Sequence, residues 1–457
     1  MKQMQDRHFY KRLLSLALPI TLQNIIGFGS GLADNLMVGQ LSENALGGVF
    51  IANQVQNILQ MIVIGLGTSL TVLAAQYWGK GETGPVKTIV SIVFKIALAV
   101  GTLFFLGMFF FGRPILHLLS DEPGVLDEAM IYARVVCFGY FFFCVSSVFM
   151  SSMRCVGTTR IGLIVSSCAF CIDLFLNWVL IFGKLGAPAM GIRGAALSTV
   201  IGRIIECLIM LFYILYKDRK LKLRPRDIRR YDRFLMRDYI HYGTPIILGD
   251  VFWGLGGAAQ ASILGRLGAP VMAASSMAGN IQQIFAVAVY GTAGASGIVI
   301  GQTVGTGDFE RVKAYSKKLQ FVFLGIGLCS GLLLFGAKDL VLRLYGNLEP
   351  ETLRYATQFI MVLSVTLVGT GYQMSVLTGI VRAGGATHFV LINDLIFVWL
   401  VVIPSASLSA FVFHASPWIV YACLKCDQIL KCFVAVIKVN RFRWIKKLTR
   451  DSLEAYE

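Results

Sequence analysis

QYWGKGETGPVK, residues 76–87, returns as QTVGTGDFERVK at residues 302–313. Gln76 falls on Gln302, Gly79 on Gly305, Gly81 on Gly307, Glu82 on Asp308 and Lys87 on Lys313. The same offset of 226 residues pairs Pro19 with Pro245, Gly39 with Gly265, Leu41 with Leu267 and Gly65 with Gly291. A repeat that keeps register from residue 19 to residue 87 marks the chain as two copies of one unit. Further along, MRCVGTTR (153–160) matches VRAGGATH (381–388). Asn177-Trp178 with Gly183 matches Val398-Trp399 with Pro404 at an offset of 221.

What surrounds these segments decides the class. Of 457 residues, 56% are hydrophobic and 14% charged, with a mean hydropathy of +0.70. Soluble domains carry about 25% charged residues. A bilayer accepts this much apolar surface where a soluble core of the same size does not. Apolar stretches long enough to span recur near 13–38, 46–76, 88–112, 129–153, 161–183, 191–216, 239–264, 270–301, 316–337, 355–381, 388–412 and 415–437. Six fall in each copy, so both copies cross in the same direction. The expected fold is an all-α membrane protein, with twelve transmembrane helices in two six-helix bundles related by a pseudo-twofold axis along the membrane normal. The expected domains are an N-lobe (1–216), a basic linker (217–238) and a C-lobe (239–457).

The net charge of +16 sits mostly in alternate loops. The linker Lys217–Arg237 alone holds ten Lys or Arg, and Arg441, Arg443, Lys446, Lys447 and Arg450 follow the last span. Basic residues gather on the cytoplasmic side. Both termini are therefore expected inside, in a multi-pass protein of the cell membrane, with no secretory leader. No basic-aromatic motif supports a nucleic-acid partner. Cys168/Cys171 and Cys423/Cys426 have CxxC spacing but no partner pair to complete a zinc site. No GxxxxGK[ST], HExxH or GxSxG motif is present, so neither an energy-coupling ATPase nor an enzyme is expected.

Ionisable residues within spans are the functional candidates, because charge in hydrocarbon is costly. Asp34 lies in the first span. Asp173 and Asn177 share one face of the fifth, four residues apart. Arg203 and Glu206, at i and i+3 in the sixth, read as a structural ion pair. Asp250, Asp394 and Asp427 are the acids of the second copy, with Asp427 expected in solvent beside Lys425 and Lys431. Gln56 and Asn57 fall on Gln282 and Gln283 under the repeat. This polar pair is a candidate wall of a wet substrate cleft.

The run Pro19…Asp34…Val38-Gly39-Gln40-Leu41…Ala45-Leu46 resembles the opening of multidrug and toxic compound extrusion (MATE) transporters of the bacterial type. FLNWVLIFGKLGAPAMGIRGAALSTVIGRIIE (175–206) is similar to their segment 5–6 signature. The loops Arg154–Thr159 and Arg382–Thr387 match as well. The resemblance implies a secondary active antiporter, exporting bulky apolar or cationic compounds in exchange for Na+ or H+ by rocking of two lobes. It implies no cofactor beyond the coupling ion, the bilayer and small organic molecules as partners, and a monomer. It places ion coupling on Asp34, Asp173, Asn177 and Thr199, which are also the place for a bound Na+. Two departures stand out: Asp173 and Asn177 occupy each other's family positions, and Trp253 stands where one branch has a Glu. The alternatives are a flippase of lipid-linked or other amphipathic substrates, which needs a strongly cationic cavity, and a membrane protein that transports nothing.

Overall fold

The computed structural model describes residues 2–344 and 349–450, and every regular element among them is helical. The helices are α1 (Lys2–Gly39), α2 (Glu43–Lys80), α3 (Thr83–His117), α4 (Pro123–Cys155), α5 (Arg160–Phe182), α6 (Ile192–Lys217), α7 (Arg233–Gly265), α8 (Ala269–Gly305), α9 (Phe309–Leu344), α10 (Pro350–Arg382), α11 (Thr387–Val412), α12 (Pro417–Leu424) and α13 (Asp427–Asn440). Among the described residues, α1 to α11 are each long and apolar enough to cross a membrane. The twelfth expected span is broken in two at Lys425–Cys426, between α12 and α13. Turns of wider pitch at 377–382, 396–402 and 408–412 loosen α10 and α11.

The chain forms two compact units. One comprises 22–74 and 82–243; the other comprises 1–21, 75–81 and 244–457. The chain passes between units inside α1 just after Pro19, and inside α7 just before Pro245. These two prolines are repeat equivalents. Each removes a backbone N–H and clashes with the carbonyl four residues back, so both copies weaken the helix at one place.

In the first unit α3, α4, α5 and α6 pack on one another. The linker lies along α3. Ser91 Oγ donates to the carbonyls of Ile228 (2.6 Å) and Arg230 (2.7 Å), and Lys87 Nζ lies 3.2 Å from Asp227 Oδ2. Burial works against the Asp227 charge. The Arg224 N–H, Lys87 and Arg230 outweigh it and hold the carboxyl below the usual carboxylate range.

The second unit shows the repeat in its packing. A Cβ at Gly79 would lie 1.9 Å from the carbonyl oxygen of Gln302, and a Cβ at Gly305 would lie 1.9 Å from that of Gln76. The ends of α2 and α8 therefore cross backbone to backbone in a reciprocal pair, as a twofold requires. Only glycine permits that approach. The segment after α13 folds back on this crossing. Trp444 is fully buried against Gly384, Lys446 N–H donates to Gly384 O (2.8 Å), and Leu448 N–H donates to Gln76 Oε1 (2.9 Å).

Candidate functional site

Polar groups gather inside the first unit between α1, α4, α5 and α6. Asp173 and Asn177, one turn apart, point the same way from α5 and are both buried. Gly202 on α6 lies against them: a Cβ there would meet the Asp173 Cβ at an ordinary contact of 3.6 Å. Asn177 Nδ2 donates to Asp34 Oδ1 at 2.7 Å, across to α1. Asn177 Oδ1 accepts from Ser198 Oγ, whose other neighbour is the carbonyl of Ala195 at 2.9 Å. The Asp173 carboxyl stands beside Asp34, Ser30 and Ser198, and its Oδ1 is buried without a hydrogen-bond partner. Thr199 bonds the Ala195 carbonyl (3.0 Å) and the buried Tyr132 hydroxyl of α4. Arg203 pairs with Glu206 at 3.0 Å and covers the Phe143 ring at 4.8 Å.

Two carboxyls in contact in a low-dielectric interior call for a proton or cation between them. The unpartnered Asp173 Oδ1 is a free acceptor in this cluster, on the side of Gly202. Asp34, Asp173 and Asn177 are thus brought together, and Thr199 stands one residue from their direct partner. Sequence reasoning missed Ser198, Ser30 and Tyr132. Ser198 sits in the quoted 175–206 run, but only the packing of α6 on α5 tells it from its neighbour Thr199.

The polar quartet is divided between the units, two residues in each. Gln56 is half-buried with Oε1 unpartnered, Gln282 is half-buried, and Asn57 and Gln283 are exposed.

The second copy corrects two expectations. Asp427 is not in solvent: it is 5% exposed and lies 3.3 Å from Lys431 Nζ. Arg382 is not a loop residue but a buried one, within α10, and reaches Asp250 at 3.3 Å. Charges in apolar surroundings find partners, and sequence position alone concealed which.

The sequence model of the MatE family matches residues 19–179 and 245–408, one stretch in each copy. The chain belongs to the MatE family. Its members are transporters. Among MatE relatives, the probable multidrug resistance protein NorM of Thermotoga maritima is 24% identical over 452 residues, covering 97% of this chain and 95% of that one. The multidrug resistance protein MdtK of Edwardsiella ictaluri is 22% identical over 448 residues, covering 96% of each. The fold is that of solved MATE structures. One, in the bent conformation, superposes with a TM-score of 0.86 at 18% identity, covering 94% of this chain and 95% of the other. A MOP superfamily transporter from Pyrococcus furiosus, described as having a binding pocket of reverse polarity, gives 0.86 at 18% identity, covering 96% of this chain and 97% of that one.

Proposed function

We propose that the chain is a secondary active antiporter that exports bulky apolar or cationic compounds in exchange for a cation. In this reading lobes 1–216 and 239–457, joined by the linker 217–238 on the cytoplasmic side, rock so that access alternates between the two faces of the membrane. One observation carries the reading: Asp34 and Asp173 stand together beside Asn177 and Ser198, and Arg203, whose charge acts on both, is already bonded to Glu206, so a further proton or cation relieves them. Relatives named multidrug resistance proteins support the substrate class.

The cation acts through its differential affinity for the two states of the transporter. Its arrival between Asp34 and Asp173 draws α1 and α5 together. Its departure leaves two like charges that favour the other arrangement. A proton suits the observed hydrogen bonds better than Na+. Asn177 turns its nitrogen to Asp34 and its oxygen to Ser198, whereas Na+ requires oxygen ligands. Gln56, Asn57, Gln282 and Gln283 line the substrate path in this reading.

The test is dye efflux from proteoliposomes under separately imposed pH and Na+ gradients. A pH gradient alone drives the wild type, and Asp34→Asn and Asp173→Asn abolish it. Wild-type rates in both variants would overturn the assignment.

A further inference from the structure

The offset of 221 that matches Trp178 to Trp399 also places Asp173 on Asp394 and Glu206 on Asp427. Each copy therefore carries a carboxylate on its fifth span and another on its sixth. Each also carries a cation about one turn from its sixth-span acid: Arg203 three residues before Glu206, Lys431 four residues after Asp427. Both spacings put the cation on the face of its acid.

The two copies use that cation differently. Arg203 bonds Glu206, and Asp173 Oδ1 stays open. Lys431 Nζ reaches both acids, 2.8 Å from Asp394 Oδ1 and 3.3 Å from Asp427 Oδ2, with its side chain 5% exposed. The remaining donors of the cage are in place. Gln428 Nε2 donates to both Asp427 oxygens at 3.0 Å, and Gln428 Oε1 accepts from Thr370 (3.0 Å) and Gln373 (2.9 Å).

We propose that the Lys431 ammonium is the resident cation of a second carboxylate site, standing between Asp394 and Asp427 in place of an exchangeable ion. The C-terminal copy then binds no coupling ion, and the stoichiometry of exchange is set by the N-terminal copy alone. That last consequence rests on the reading of Asp34 and Asp173 above; the site itself does not. The geometry also says what its empty form would take. Without the ammonium, the half-buried Asp394 and the buried Asp427 are left with no cation between them, and a small hard cation such as Na+, or a proton, is the ligand class that fits. The other charged neighbours are Asp250, held by Arg382 on the side of Asp394, and Lys425 beside Asp427.

The experiment is thermal unfolding of the purified full-length protein in detergent, with NaCl exchanged for choline chloride at constant ionic strength. All variants carry Asp34→Asn, so that the N-terminal site is silent. Lys431→Met is expected to melt lower than its parent and to recover about 1–2 °C for each tenfold rise of Na+ above its Kd, or to recover on acidification. The parent and Lys431→Arg show neither response, and adding Asp394→Asn to Lys431→Met removes the Na+ response. A Lys431→Met protein that neither Na+ nor acid restores, or one whose Na+ response survives Asp394→Asn, would overturn the proposal. Efflux by Asp34→Asn alone at the wild-type rate would remove the N-terminal reading and leave this one standing.

Discussion

Ser198 is 0% exposed and has one hydroxyl hydrogen for two acceptors, the Asn177 side-chain oxygen and the Ala195 carbonyl. When it donates to Asn177, it fixes which end of that amide faces Asp34. Ser198→Ala leaves a buried carbonyl oxygen without a donor, at a cost of about 1–3 kcal/mol. It also frees the amide to turn. The expected outcome is an efflux rate lowered by about tenfold with the protein still folded, and recovery in Ser198→Thr, which keeps the hydroxyl. Efflux assays on the two variants at equal expression decide it. A Thr variant as impaired as the Ala variant would mean that packing, not the hydrogen bond, is what Ser198 supplies. At this scale the pattern Asp-x-x-x-Asn was readable as one helical face. Which of two adjacent hydroxyls meets it was not, because that depends on the rotation of α6 against α5.

Among elements, the crossing of α2 on α8 is the most constrained. Gly79→Leu or Gly305→Leu forces a side chain into a carbonyl that lies 1.9 Å from the Cβ position, so the helices must part. Losses above about 4 kcal/mol follow from such overlap, and little folded protein is expected by size-exclusion chromatography. Gly307 is the contrast. Its φ is +77 with open space around it, so Gly307→Ala meets only the left-handed backbone penalty of about 1–2 kcal/mol and stays folded. The linker against α3 gives a pH-dependent contribution. The Asp227 carboxyl, 6% exposed, is held below its ordinary range by the Arg224 N–H, Lys87 and Arg230. A group depressed in the folded state stabilises above its unfolded value and loses that contribution as pH falls through the folded one. Asp227→Asn is therefore expected to lower the melting temperature at pH 7, with the gap closing below about pH 4. An equal gap at both pH values would show that the charge contributes nothing.

Across the whole molecule, the proposed orientation rests on the excess of Lys and Arg in alternate loops and the linker. A cysteine placed at Arg226, in a protein whose exposed cysteines have been replaced, is expected to react with a membrane-impermeant maleimide in inside-out vesicles and not in intact cells. Labelling in intact cells would invert the topology and with it the direction of export. The repeat gives the same scale its symmetry, and the reciprocal pairs Gly79/Gln302 and Gly305/Gln76 express it in contacts. The symmetry is broken where the charges are. One copy has Asp34 beside an open Asp173, while the other has Gln260 at the equivalent of Asp34 and Lys431 seated on Asp394.

Length, apolar composition and the 226-residue repeat determined by themselves that the chain is a helical membrane protein built twice. Hydrocarbon imposes both span length and helical hydrogen bonding on any sequence that enters it. They also marked Asp34, Asp173 and Asn177, because an intramembrane acid stands out wherever it falls. Apart from the pair Arg203–Glu206, which lies within one helix, the tertiary structure decided which cation meets which acid. It buried Asp427 and Arg382, divided the last span into α12 and α13, and left Asp173 Oδ1 open while filling its counterpart with Lys431. Pairing depends on helix rotation and on which helices are neighbours, and a hydropathy pattern holds neither.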